Sequence, residues 1–106
     1  MFLSESDKQK IVEICRHYDV SSCAVFGSYS RGEADETSDI DLLVRFSKPV
    51  GYAFFEVALD LENALGRKVD LATDRMIGPQ IRPYVMADLT TIYEETERSA
   101  PTAAYS

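Results

Sequence analysis

The sequence predicts an α/β chain: an α+β two-layer domain with a short mixed β-sheet of three to four strands and helices packed mainly on one face. Segments with helical periodicity alternate along the chain with short apolar segments typical of strands. The link between the first two strands, from Gly27 to Asp39, is too short for a full crossover helix. Those two strands are therefore expected to pair antiparallel, which makes the sheet mixed.

The bulk composition indicates one small acidic domain. The chain has 106 residues, of which 45% are hydrophobic, enough for a single core. The net charge of −7, without a visible basic stripe, argues against a nucleic-acid polymer as the main ligand, so we expect no direct nucleic-acid binding. We expect one domain over residues 1–96 and a mobile, small and polar tail over residues 97–106.

The sequence also predicts a cytoplasmic protein without a membrane segment. Polar residues begin at Ser4, so no signal peptide is expected, and no apolar run is long enough to span a membrane. Cys15 and Cys23 do not have the spacing of metal ligands. They predict buried free thiols, with a disulfide as the less favoured alternative.

The first half of the chain predicts one helix and two strands. Residues 4–18 have acids in the first turn and a helical apolar stripe, with Ser4 or Ser6 as the cap. Residues 22–27 predict a short buried strand, and a short helical turn is expected around residues 29–34. The second strand is predicted over residues 40–46.

The second half predicts a long helix followed by a strand. Residues 52–65 carry apolar residues on one helical face, and Gly66 is the expected C-terminal stop. Arg67 and Lys68 are expected to stabilise that helix end. The third strand is predicted over residues 68–72.

The last elements that the sequence predicts are a short helix and an edge strand. Residues 80–89 predict a helix if Pro83 lies in its first turn, where a missing backbone N–H costs little. Residues 91–94 predict a short fourth strand at a sheet edge.

Three acidic residues are the first candidate for chemistry. Asp39 and Asp41 are two residues apart at the start of an apolar strand, so both carboxylates lie on one face. Asp70 lies inside the next apolar strand. Close carboxylates repel each other and are costly to bury without a counter-charge. Oxygen ligands without His or Cys nearby favour Mg²⁺ or Mn²⁺ over zinc.

A glycine-serine turn is the second candidate. Gly27 and Ser28 follow a strand and precede a tight turn. Glycine lets a phosphate approach the backbone closely, and the serine hydroxyl and following N–H groups can donate to its oxygens. Arg31 and Ser38 are candidate donors to the same triphosphate, although for Arg31 an ordinary surface charge is an equally good interpretation.

The combination of these features resembles the DNA polymerase beta-like nucleotidyltransferase superfamily. Gly27 and Ser28 are followed by ten residues, then Asp-x-Asp, and later by Asp70 in a second apolar strand. Length, the helix before the third strand and the IRPYV segment look like the minimal, MNT-type members, which are often antitoxins. The resemblance covers roughly residues 5–94 and implies the polymerase beta-like fold.

The resemblance also implies a set of roles. Asp39, Asp41 and Asp70 would hold two Mg²⁺ ions, and Asp70 could take the proton of the acceptor hydroxyl. Ser28, with Gly27 permitting the contact, would hold the triphosphate of ATP. The acceptor implied is a tyrosine of a HEPN-domain toxin, so that the chain would be a protein adenylyltransferase and an antitoxin. Two alternatives stay open: an antitoxin that only masks its toxin, and an enzyme that nucleotidylates a small molecule.

Overall fold

The computed structural model describes residues 1–48 and 51–95, and the predicted tail over residues 97–106 lies outside this described part. In chain order the elements are α1 (Glu5–His17), β1 (Val20–Phe26), α2 (Ser28–Arg31), β2 (Ile40–Phe46), α3 (Ala53–Leu65), β3 (Val69–Ala72), a 3-10 turn (Asp74–Met76), α4 (Arg82–Asp88) and β4 (Thr90–Glu94). Every helix and strand predicted from the sequence is present. The 3-10 turn has no counterpart in the sequence prediction.

The strands form one mixed sheet in the order β3-β2-β1-β4. β1 pairs antiparallel with β2 and with β4, whereas β2 and β3 are parallel. The short link after β1 allows only a reversal of direction, while α3 provides the crossover that a parallel pair requires. The predicted fold class is confirmed, and so are the antiparallel first pair and the fourth strand at an edge.

The main core lies between the sheet and the pair α1 and α3. The buried apolar residues of each helix repeat at helical spacing. In α3 they are Val57, Leu61 and Leu65, and in α1 they are Ile11 and Cys15. Alternate residues of β2 enter this core, namely Ile40, Leu42 and Val44. Leu43 points to the opposite face, where it packs with Ile77 and Val85 under α4. Most helical surface thus covers one face, and a small second cluster covers the other.

Local signals in the sequence account for the ends of the helices. The hydroxyl of Ser4 accepts a hydrogen bond of 3.0 Å from the N–H of Asp7 and caps α1. Gly66 ends α3 in the left-handed conformation, with φ of 67°. Pro83 lies in the first turn of α4, as predicted.

The two cysteines are free and fully buried, as predicted for Cys15 and Cys23. In the described part of the chain, none of the helices has both the length and the apolar character needed to cross a bilayer.

Candidate active site

The parallel pairing of β2 with β3 brings two of the predicted acids together. Asp41 and Asp70 are direct register partners on neighbouring strands. Partners in a parallel pair project from the same face of the sheet, so the two carboxylates are neighbours. They share the face of Leu43, opposite the main core, because residues two apart on a strand lie on one side. Asp41 is half-buried and Asp70 is exposed.

Asp39 adds a third carboxylate at the same edge. It is exposed and directly precedes β2, which begins at Ile40. The pKa of Asp41 is raised from 3.8 to about 6, first by partial burial and then by the negative charges of Asp70 and Asp39. Asp41 therefore lies close enough to both Asp70 and Asp39 for their negative charges to act on it.

Gly27 brings the backbone of the turn directly against Asp41. Its φ is +73°, a conformation that favours glycine. A Cβ atom built on Gly27 would lie 2.3 Å from Oδ2 of Asp41, far inside van der Waals contact. Glycine at this position thus has a second purpose besides the expected approach of a phosphate, because it leaves room for the carboxylate.

Ser28 opens the short helix α2 immediately after this contact. The N–H groups of Ser30 and Arg31 donate to the carbonyl oxygen of Gly27 at 3.0 and 3.2 Å, which closes the turn. Ser28 is half-buried and directly follows Gly27, whose backbone lies against the side chain of Asp41. The turn and the acids therefore form one site.

Arg31 and Ser38 lie near the site but are bonded to other residues. Arg31 donates to Glu33 through Nε at 2.9 Å and to Asp88 through Nη1 at 2.6 Å. Its positive charge lowers the pKa of Asp41, against the larger effects that raise it. The hydroxyl of Ser38 accepts a hydrogen bond of 2.9 Å from the N–H of Asp35. Donation from either side chain to a triphosphate stays a prediction.

The oxygen ligands fit a hard divalent cation that arrives with a substrate. Across residues 1–48 and 51–95, no three His, Cys, Asp or Glu side chains are arranged to hold a metal ion by themselves. Mg²⁺ in proteins is commonly bound by one or two carboxylates and completed by phosphate oxygens and water, not by a closed protein cage. Asp41 and Asp70, with their unbalanced negative charge, suit that kind of binding.

Sequence reasoning missed a network behind the turn. Arg67 was expected to stabilise the end of α3, but its side chain contacts residues of α2 and α1. Its Nη1 donates to Oη of Tyr29 at 2.6 Å, and its Nη2 lies 3.4 Å from Oδ2 of Asp7. The three residues lie far apart in the sequence, so no local pattern signals their contact. Tyr29 directly follows Ser28 in the sequence, but its full burial becomes visible only in the structure.

The raised pKa of Asp41 predicts a pH-dependent effect on folding without metal. An acid with a higher pKa in the folded than in the unfolded protein stabilises the fold below its unfolded pKa, 3.8, and loses that effect as pH rises through about 6. Asp41→Asn is therefore expected to stabilise the metal-free protein near neutral pH. Because the side chain is partly solvated, we expect about 1 kcal/mol, well below the full value of the shift.

Urea unfolding in a chelator at about pH 7.5 and about pH 4 tests this expectation. The gain from Asp41→Asn should disappear at the lower pH. Asp19→Asn is a matched control, because Asp19 is an exposed acid whose ion-pair partner within the described residues is Lys48, at the other end of β2. An equal gain at both pH values would contradict the raised pKa of Asp41.

A comparison with known proteins gives the family. The family model for polymerase beta nucleotidyltransferases matches residues 9–98. A protein of Methanocaldococcus jannaschii, provisionally named a protein adenylyltransferase, is 52% identical over 66 residues, which are 61% of this chain and 77% of that relative. The protein adenylyltransferase MntA of Thermococcus cleftensis is 37% identical over 81 residues, which are 76% of this chain and 82% of MntA.

Solved structures agree with this assignment. A chain in the crystal structure of a toxin–antitoxin with AMP-PNP superposes with a TM-score of 0.71 at 26% identity, over 92% of this chain and 82% of that one. A structure provisionally described as a minimal nucleotidyltransferase superposes with a TM-score of 0.68 at 33% identity, over 78% of this chain and 86% of that one. The chain belongs to the polymerase beta nucleotidyltransferase family and, within it, to the minimal, MNT-type members.

Proposed function

We propose that the protein transfers AMP from ATP to a hydroxyl group of another protein, and that the acceptor is a tyrosine of a HEPN-domain toxin. The observation that carries the proposal is the register pair of Asp41 and Asp70, with the Gly27 turn packed against Asp41. This arrangement joins a turn suited to phosphate to carboxylates that form no direct ion pair within the described part of the chain. The turn is needed to hold a triphosphate, and the carboxylates are needed to activate an acceptor beside it.

Each residue of the site has a distinct part in this proposal. Ser28 donates to a phosphate oxygen, and the backbone at Gly27 lets the triphosphate come close. Asp39, Asp41 and Asp70 would supply oxygen ligands for two Mg²⁺ ions. When bound, the ions would neutralise charge on the triphosphate and lower the pKa of the acceptor hydroxyl. Asp70, being exposed, can then take the proton of that hydroxyl as it attacks the α-phosphorus and pyrophosphate leaves.

The choice of a protein acceptor has three lines of support. The relative from Thermococcus is named a protein adenylyltransferase, and one structural neighbour belongs to a toxin–antitoxin with AMP-PNP. The exposed positions of Asp39 and Asp70 leave the site open to a bulky acceptor that brings its own contact surface. The net charge of −7 also suits a basic partner, such as a ribonuclease toxin that binds RNA.

The test is to incubate the protein with ATP, Mg²⁺ and the product of the adjacent gene, and to measure the intact mass of that product. We expect it to gain one or more AMP units on a tyrosine, and to gain none with Asp39→Asn. Association of the two proteins should slow as salt is raised, because opposite charges steer their encounter. A toxin that is neutralised without a change of mass would support masking, and transfer to small molecules alone would support the third interpretation.

A further inference from the structure

Tyr29 connects the Gly27–Ser28 turn to the loop that leads to the catalytic acids. Its side chain is only 1% exposed, although it follows directly after Ser28. Its hydroxyl donates to the carbonyl oxygen of Asp35 at 3.4 Å. Asp35 belongs to the loop that reaches Asp39, so one phenol touches two of the segments that carry site residues.

Arg67 contacts the same hydroxyl from the third segment. It lies in the turn between α3 and β3, three residues before Asp70. Nη1 donates to Oη of Tyr29 at 2.6 Å, and the guanidinium lies 5.4 Å from the centroid of that ring. The other end of the guanidinium group is paired with the carboxylate of Asp7 on α1, which is mostly buried. The planar fork of arginine can make both contacts at once in a fixed geometry.

A backbone hydrogen bond near the starts of β2 and β3 connects the contacts of Tyr29 and Arg67 to the acids. The N–H of Ile40 donates to the carbonyl oxygen of Lys68 at 3.0 Å, which joins the first residue of β2 to the residue directly before β3. Asp39 directly precedes Ile40, and Asp70 lies two residues after Lys68. A shift of Arg67 or Tyr29 would therefore change the spacing between the turn and both strands.

We propose that Tyr29 and Arg67 are positioning residues that fix Ser28, Asp39 and Asp70 relative to one another. The inference rests on the proposed function, because it assigns these two residues to the same nucleotide site. A displacement of about 1 Å in such a site can lower the rate about a hundredfold without unfolding the protein. The competing interpretation is that the network only stabilises the fold.

The chain offers a matched control for this distinction. Tyr18 donates to Oδ2 of Asp60 at 2.6 Å, the same length as the bond between Arg67 and Tyr29, and it joins α1 to α3 within the helical layer. Tyr29→Phe and Tyr18→Phe each remove one phenol hydroxyl and keep the ring. A purely structural role predicts similar consequences for both variants.

The experiment measures melting temperature, AMP-PNP binding with Mg²⁺, and kcat and KM for ATP in both variants. Tyr29→Phe is expected to lower kcat/KM by about ten- to hundredfold and to weaken AMP-PNP binding, whereas Tyr18→Phe stays within about twofold of wild type. Both should melt as a folded protein. Equal losses in the two variants, or full activity in Tyr29→Phe, would overturn the positioning role.

Arg67→Lys provides an independent arm. Lysine keeps a positive charge for Asp7 but lacks the fork that reaches Tyr29 at the same time. We expect the fold to be kept and kcat/KM to fall as in Tyr29→Phe. The double variant Tyr29→Phe/Arg67→Lys should then be little worse than either single one, because both changes break the same bond. Fully additive losses would contradict the pairing.

The binding and transfer measurements separate this inference from the proposed function. If the wild type binds AMP-PNP but transfers no AMP from ATP, only the proposed function is contradicted. Equal AMP-PNP binding and equal transfer by Tyr29→Phe and wild type would count against the positioning role alone. A wild type that binds no AMP-PNP would reject both.

Discussion

Asp39→Asn and Asp41→Asn are each expected to abolish AMP transfer while leaving the chain folded. Each change removes the charge of a proposed metal ligand near the Gly27 turn but keeps the shape of the side chain. We expect a loss of roughly 10³-fold or more, on the order of 4 kcal/mol of transition-state stabilisation. The fold should survive because Asp39 is exposed and because the charge on Asp41 is already unfavourable beside Asp70.

Transfer of labelled AMP by the purified variants measures this effect, and thermal melting checks the fold. Asp19→Asn is again the control, because it makes the same chemical change in an exposed acid at the far end of β2. Its activity should equal that of wild type. Full activity in both Asp39→Asn and Asp41→Asn would show that the protein does not use these carboxylates.

Asp70→Asn and Ser28→Ala are expected to separate chemistry from binding. Asp70→Asn should lower transfer by about 10²–10⁴-fold, as for the loss of a general base. Its affinity for Mg-ATP should change little, because Asp39 and Asp41 keep their charges. Ser28→Ala should instead weaken nucleotide binding by ~1.5–3 kcal/mol, the contribution of one hydrogen bond to a charged group.

Calorimetric titration with Mg-ATP, together with single-turnover transfer, measures both parts. Ser21→Ala is a control for the serine change, because the Ser21 hydroxyl donates only to the carbonyl oxygen of Arg45 among the bonds described, away from the turn. The reverse pattern, in which Asp70→Asn loses binding and Ser28→Ala keeps it, would exchange the roles proposed for these two residues.

Much of the local structure was determined by the sequence itself. Two residues of separation on a strand place Asp39 and Asp41 on one side, whatever the rest of the fold does. Gly27 and Gly66 mark positions where the backbone takes positive φ, and Pro83 marks the first turn of a helix. These signals act through the sterics of one residue or one turn, so they can be found without knowing any partner.

The boundaries of the elements were less well determined. β1 begins at Val20, two residues earlier than predicted, because Val20 is fully buried and pairs with Phe46 across the sheet. The polar residue Ser21, between Val20 and the predicted start, hides this extension in the sequence. The strand end is set by the partner strand and the core, which a single segment does not contain.

Only the tertiary structure decided which residues meet. Asp41 faces Asp70 because the register of β2 and β3 is set by the burial of their apolar residues against α3, and a slip by one residue would separate the two carboxylates. Arg67 contacts Tyr29, and Arg31 contacts Asp88, across elements that are distant along the chain. Such partners follow from packing and from the need of buried polar groups for hydrogen bonds, and these forces act between segments, not within them.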